Sequence, residues 1–97
     1  MLHEFSRTAL LIGEDGLARL QNAHIAVFGI GGVGGAAAEA LARAGVGSLT
    51  LVDNDTVSVT NRNRQIIALA STTGQSKTAA MAARVRDINP ACRVTPL

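Results

Sequence analysis

Ile25-Ala26-Val27-Phe28-Gly29-Ile30-Gly31-Gly32-Val33-Gly34-Gly35-Ala36-Ala37-Ala38 is the stretch that decides the fold. Four apolar residues read as a short buried strand of a parallel sheet. The glycines then interrupt it, and an alanine-rich run follows as far as Ala44. That order, strand then glycine loop then helix, is the context in which a Gly-x-Gly-x-x-Gly pattern signals a nucleotide-binding turn. Gly29 permits the tight turn and Gly31 lets a phosphate approach backbone N–H groups. Gly32 opens the helix, whose N-terminus attracts anions, and Gly34 lets that helix pack closely on the strand. The alternative is a tight turn with close packing and no ligand.

Outward from this unit, strand and helix signals alternate. Ser6–Gln21 reads as helical from the spacing of Leu10, Leu11, Leu17 and Leu20, although Gly13 and Gly16 leave two short helices as an equal reading. Gly32–Ala44 forms a helix stopped by Gly45-Val46-Gly47. Leu49–Val52 is a second strand. Asp53–Gln65 is polar and reads as a loop, and Ile66–Ala70 as a helical turn. Ser76 caps a helix over Lys77–Ile88 that stops before Asn89-Pro90. Arg93-Val94-Thr95 opens a third strand. The class is α/β, a Rossmann-like parallel sheet with flanking helices and right-handed crossovers. A doubly wound sheet normally needs two such halves. Residues 1–97 therefore read as the N-terminal part of one nucleotide-binding domain, with a minimal three-stranded protein as the alternative.

Composition narrows the function. The 97 residues are 47% hydrophobic and 16% charged, with a net charge of +2. A two-charge excess is weak support for nucleic-acid binding, and no basic run of five or more residues exists. Eight of the nine basic residues are arginine, which suits forked contacts to phosphate or carboxylate. A single cysteine, Cys92, excludes an internal disulfide and a four-cysteine zinc site, and reads as a buried structural thiol. His3 and His24 lack metal spacing, so no metal site is expected within the segment. No secretory signal and no apolar run long enough for a membrane span is visible, so a cytoplasmic protein is expected.

The chemistry lies after the second strand. Asp53 stands about the distance beyond the glycines expected of an acid that binds ribose hydroxyls. Its other reading is a strand-ending turn cap. Asp55 binds the sugar, orients Arg64 or faces solvent. Asn61, Arg64 and Gln65 follow, and then Lys77, the one lysine of the chain. The glycine loop already serves the pyrophosphate of NAD. Additional cations suggest a third phosphate or a leaving group that needs neutralising. Arg62 and Arg19 read as solvated, and Arg7 taken alone is a surface arginine.

The combined pattern resembles the ThiF/MoeB/E1 superfamily, which adenylates carboxylates with ATP and magnesium. The matching stretches are Gly29–Gly34, Val52-Asp53-Asn54-Asp55, Asn61-Arg62-Asn63-Arg64-Gln65, Gly74-Gln75-Ser76-Lys77 and Ile88-Asn89-Pro90. Phe5-Ser6-Arg7-Thr8, Leu11-Ile12-Gly13, Val57–Asn61 and Asp87–Val94 are similar to the branch that dehydrates threonylcarbamoyladenosine in tRNA. Gly35 and Arg62 depart from the residues common in the superfamily at those places.

The resemblance implies a role for each position. Asp53 would hold the ATP ribose. Asn61, Arg64 and Lys77 would hold the triphosphate. Arg7 would reach the phosphates of a partner subunit in a homodimer. The magnesium-binding Asp of the family would lie beyond Leu97. In the implied reaction a threonylcarbamoyl carboxylate is activated with ATP and closes on its own carbamoyl nitrogen. The same-class alternative activates the C-terminal glycine of a ubiquitin-like sulfur carrier. An NAD-dependent dehydrogenase and a non-catalytic nucleotide-binding module are alternatives of other classes.

Overall fold

The computed structural model describes residues 3–97. The elements are α1 (Ser6–Gln21), β1 (His24–Phe28), α2 (Gly32–Ala44), β2 (Ser48–Val52), a 3-10 turn (Val59–Asn63), α3 (Lys77–Ile88) and β3 (Arg93–Pro96). The three strands form one parallel sheet in the order β1-β2-β3. Ile25 pairs with Leu49 and Leu49 with Val94, so the hydrophobic positions line up in one row across the sheet.

The alternation of β2 explains the layering. Leu49 and Leu51 are fully buried, whereas Ser48, Thr50 and Val52 point to the other face and stay half-buried. Successive strand side chains leave by opposite faces, so one register fixes both sets. Ile30, Val46, Met81 and Val85 complete the core with the two leucines. Burial of each such side chain contributes about 1.5–3 kcal/mol. On α2 the inward positions are Gly35, Ala38 and Ala42. Their small size brings α3 close, and Met81 Cε lies 3.6 Å from where a Cβ on Gly35 would stand.

The helix breaks and stops follow local chemistry. Gly13 takes φ +77° and ψ 167°, so α1 is two helical pieces joined at a kink, one of the two equal readings from sequence. α2 ends where Gly45 adopts a left-handed φ of +109°. α3 begins at Ser76, whose Oγ accepts the Ala79 N–H at 3.1 Å. It ends at Asn89, which is buried and donates from Nδ2 to Ala42 O and Val46 O at 3.2 and 3.3 Å. The Asn89-Pro90 stop is thus also a pin between α3 and the end of α2.

Two local expectations change. The stretch read as a continuous loop contains the 3-10 turn, because Ser58 and Asn61 form a reciprocal capping box around it. Residues 66–70 form turns rather than a helix. Leu69 O there accepts the N–H groups of Thr72 and Thr73, and Thr72 Oγ1 accepts the Leu69 N–H.

Candidate nucleotide site

The site assembles at the carboxyl ends of β1 and β2. In a parallel sheet these ends point the same way, and the turns leaving them form the usual ligand crevice. Gly29 leaves β1 with φ +84°, and its N–H donates to Val52 O at 2.8 Å. The next N–H, of Ile30, donates to Asp53 Oδ2 at 2.7 Å. The other oxygen, Oδ1, accepts the Asp55 N–H at 2.8 Å. Asp53 therefore clamps the glycine loop to the end of β2. An ionised carboxylate has about four acceptor positions, and these two bonds leave capacity for sugar hydroxyls.

These bonds set the charge state of Asp53. Burial works to raise its pKa and is the largest single influence. The N–H groups of Ile30, Asp55 and Asn54 and the charge of Lys77 together outweigh it, so the net shift is downward. A carboxylate with a lowered folded pKa stabilises the fold above its unfolded pKa. That stabilisation is lost as pH falls through the folded value. Asp53→Asn is expected to lower the melting temperature by about 5 °C at pH 7. The difference from the unsubstituted protein should shrink steadily below about pH 4. A thermal denaturation series between pH 7 and pH 2.5 measures it, and a difference that grows on acidification contradicts the clamp.

Gly34 has the packing role expected of it, whereas the space beside Gly31 is not open. A Cβ on Gly34 would stand 1.6 Å from Gly29 O, so close helix–strand packing is the reason for that glycine. A Cβ on Gly32 would meet nothing within 4 Å. A Cβ on Gly31 would lie 3.4 Å from Nε2 of Gln65. The room beside Gly31 is taken by the Gln65 carboxamide, which is buried although glutamine is usually exposed. Its Oε1 has no hydrogen-bond partner. Gln65 and the glycine loop therefore form one surface.

Lys77 begins α3 and is only 7% exposed, so it is not an ordinary solvated lysine. Its Nζ lies 3.9 Å from Asp55 Oδ2. The backbone fixes this approach. Lys77 N–H donates to Asp55 O at 3.0 Å and Val57 N–H to Gln75 O at 2.8 Å, and Thr56 bridges Ser76. Asp55 thus faces Lys77 and not Arg64. Asn61 is buried, and its Oδ1 accepts the Ser58 N–H at 2.9 Å. Its amide nitrogen is the group left to serve an anion.

Arg64 is exposed. It curls back on its own turn, donating from Nη1 to Thr60 O at 3.1 Å and Asn63 Oδ1 at 2.9 Å. Arg62 is exposed as well. Arg7 lies elsewhere. Phe5, two residues before it, packs on Gly45 and shares a cleft with Ser48 and Arg93 at the amino ends of β2 and β3. Arg7 is thus at the opposite end of the sheet from Asp53. The structure brings together Gly29, Ile30, Gly31, Asp53, Asp55, Gln65 and Lys77; it leaves Arg64 beside the site and Arg7 away from it.

Sequence reading did not name the Ile30 N–H or the ion pairs of Glu39. The only signal for the first was the spacing of Asp53 from the glycines. Glu39 on α2 receives Arg84 from α3 in a hydrogen-bonded ion pair, with Arg43 at 3.5 Å. The Arg84 hydrogen bond is the chief reason its pKa is lowered. Cys92 is buried, and burial pushes its thiol pKa up, as suits a structural residue. No group of three or more potential metal ligands occurs among the described residues. No helix there is long and apolar enough to cross a membrane.

Comparison with known proteins fits this geometry. The model of the ThiF family matches residues 5–97. The chain is 59% identical over its whole length to the tRNA threonylcarbamoyladenosine dehydratase of Bacillus subtilis (strain 168). It is 43% identical over 95 residues to the molybdopterin-synthase adenylyltransferase of Salmonella typhimurium, covering 96% of this chain and 38% of that protein. The crystal structure of E. coli tRNA N6-threonylcarbamoyladenosine dehydratase in complex with ATP superposes with a TM-score of 0.95 at 56% identity, over 97% of this chain and 39% of that one. The chain spans 38% of the length of the Bacillus subtilis relative.

Proposed function

The chain belongs to the ThiF family, and from that premise we propose that it is the ATP-binding N-terminal part of an enzyme that adenylates a carboxylate. Its substrate in this reading is tRNA bearing threonylcarbamoyladenosine, which it dehydrates to the cyclic form. Residues 1–97 would be part of one ThiF-type domain. The observation that carries the reading is a buried cation, Lys77, whose Nζ lies 3.9 Å from Asp55 Oδ2, next to the Asp53 clamp on the glycine loop. The loop and its helix N-terminus serve two phosphates. A further buried cation at the same edge suits a third. The 59% identity to a tRNA threonylcarbamoyladenosine dehydratase supports the substrate.

In this mechanism Asp53 orients the ribose. The N–H groups at the start of α2 and Lys77 hold the phosphates, with Asn61 and Arg64 beside them. The substrate carboxylate attacks the α-phosphorus of ATP, the bond to the bridging oxygen breaks, and pyrophosphate leaves. The carbamoyl nitrogen then attacks the activated carbonyl, gives up its proton, and AMP leaves with the carboxyl oxygen. Lys77 acts on the first step, where charge grows on the departing oxygens. The described residues do not make a magnesium site. Both oxygens of Asp53 accept backbone N–H groups and Asp55 faces Lys77.

A cytoplasmic homodimer belongs to the same reading. Arg7 would act from one subunit on the other. Leu10 and Leu11, one turn further along α1, are 84% and 89% exposed, an apolar surface that suits a second copy.

Calorimetric titration of the full-length protein with ATP and with NAD, each with magnesium, tests the nucleotide. ATP is expected to bind more tightly, and tighter NAD binding overturns adenylation. Pyrophosphate release is then followed with the tRNA and with a ubiquitin-like carrier protein. Release with the carrier alone reassigns the function to sulfur-carrier activation.

A further inference from the structure

Lysine is almost never buried unless paired, and Lys77 is 7% exposed. The carboxylate it faces, Asp55, has a side chain that is 70% exposed, and the two groups are 3.9 Å apart. That separation is an ion pair without a hydrogen bond. The backbone keeps the two residues adjacent whatever their side chains do. Lys77 N–H donates to Asp55 O at 3.0 Å, and Asp55 N–H donates to Asp53 Oδ1 at 2.8 Å. Asp55 thus stands between the acid assigned to the ribose and the cation assigned to the phosphates, with its carboxylate mostly in water.

A triphosphate arriving at Lys77 meets a negative charge already there. From this geometry we infer that Asp55 is not a nucleotide ligand but a resident counter-ion, which the triphosphate displaces from Lys77. The carboxylate steadies the buried ammonium before ATP arrives, since a buried charge left unpaired is costly. Its own exposure lets it swing into water when phosphate takes its place. The consequence is a ground-state affinity for ATP lower than the site could reach. The inference rests on the ATP-binding reading above and names a residue that regulates that site.

Asp55→Asn is the test, because it removes the charge and keeps the shape and both backbone hydrogen bonds. Calorimetry on the full-length protein at low salt compares ATP with adenosine. The variant is expected to bind ATP about threefold tighter, in keeping with a pair whose carboxylate is mostly exposed. Adenosine affinity should not change. The gain should fade with added salt and vanish when Lys77→Met is combined with it. Weaker or unchanged ATP binding by Asp55→Asn overturns the counter-ion. So does an equal gain with adenosine, or a gain that persists in the Lys77→Met background. Failure of the unsubstituted protein to bind ATP overturns the nucleotide reading as well, which separates the two cases.

Discussion

Lys77→Ala is expected to lower kcat for pyrophosphate release by about a hundredfold, while raising KM for ATP no more than about fivefold. The split follows from where charge develops. In the proposed complex, bound ATP would already spread its charge over three phosphates and find N–H donors at the start of α2. The additional charge appears on the leaving pyrophosphate only as the α-phosphorus bond breaks. A cation held in place before that moment stabilises the transition state more than the ground state. Lys77 meets the requirement because it is buried, begins α3, and is anchored by its N–H to Asp55 O at 3.0 Å.

Arg64→Ala should act in the same direction with a smaller effect. Its guanidinium is held by Thr60 O and Asn63 Oδ1 on the surface, so it must swing and order itself when the phosphates arrive. Arg62→Ala, an exposed neighbour, serves as the control. The assay follows pyrophosphate release by the full-length enzyme with tRNA carrying threonylcarbamoyladenosine. Unchanged turnover in Lys77→Ala removes the phosphate site. A rise in KM with kcat intact makes Lys77 a binding residue only.

Gly34→Ala is expected to destabilise the protein by about 3 kcal/mol or more, a drop in melting temperature of at least about 12 °C for a unit of this size. The added Cβ would stand 1.6 Å from Gly29 O and 2.8 Å from Gly29 C. No rotamer change relieves that contact, because the obstacle is backbone. Either α2 lifts from β1 or the Gly29 peptide turns. Turning it swings the Ile30 N–H, which shares that peptide plane, away from Asp53 Oδ2. Nucleotide affinity should therefore fall with stability. Gly32→Ala is the matched control, since a Cβ there meets nothing within 4 Å. It lies at the first position of α2, where alanine is the better helix former. Thermal denaturation of the two variants side by side decides. Equal stability means that the crossing of α2 over β1 is looser than the structure has it.

Much of this protein was legible before any coordinates. Strand, glycine loop and helix are local events. An apolar run cannot remain in water, Gly29 needs a left-handed φ, and Ser76 has a hydroxyl one residue ahead of a helix. Such preferences act over a few residues, so the boundaries of α2 and α3 agree with the expectation. The 3-10 turn escaped because its signal, Ser58 with Asn61, resembles ordinary polar loop sequence. ThiF membership was also readable as a resemblance, carried by the glycine loop, Asp53, the Asn61–Gln65 stretch and Lys77 in that order.

The sequence by itself determined the α/β class, the parallel sheet and which residue types were available for a phosphate site. Only the tertiary structure decided how those side chains are used. Gln65 fills the space beside Gly31, Lys77 faces Asp55 from behind a backbone bridge, and Arg84 reaches Glu39 across 45 residues. Each of these depends on how closely α2 and α3 approach the sheet and each other. That approach is set by the small side chains at their crossing and by the whole core packing at once. A hydrophobic period or a turn propensity carries no information about it, because neither depends on the element that will later pack against it.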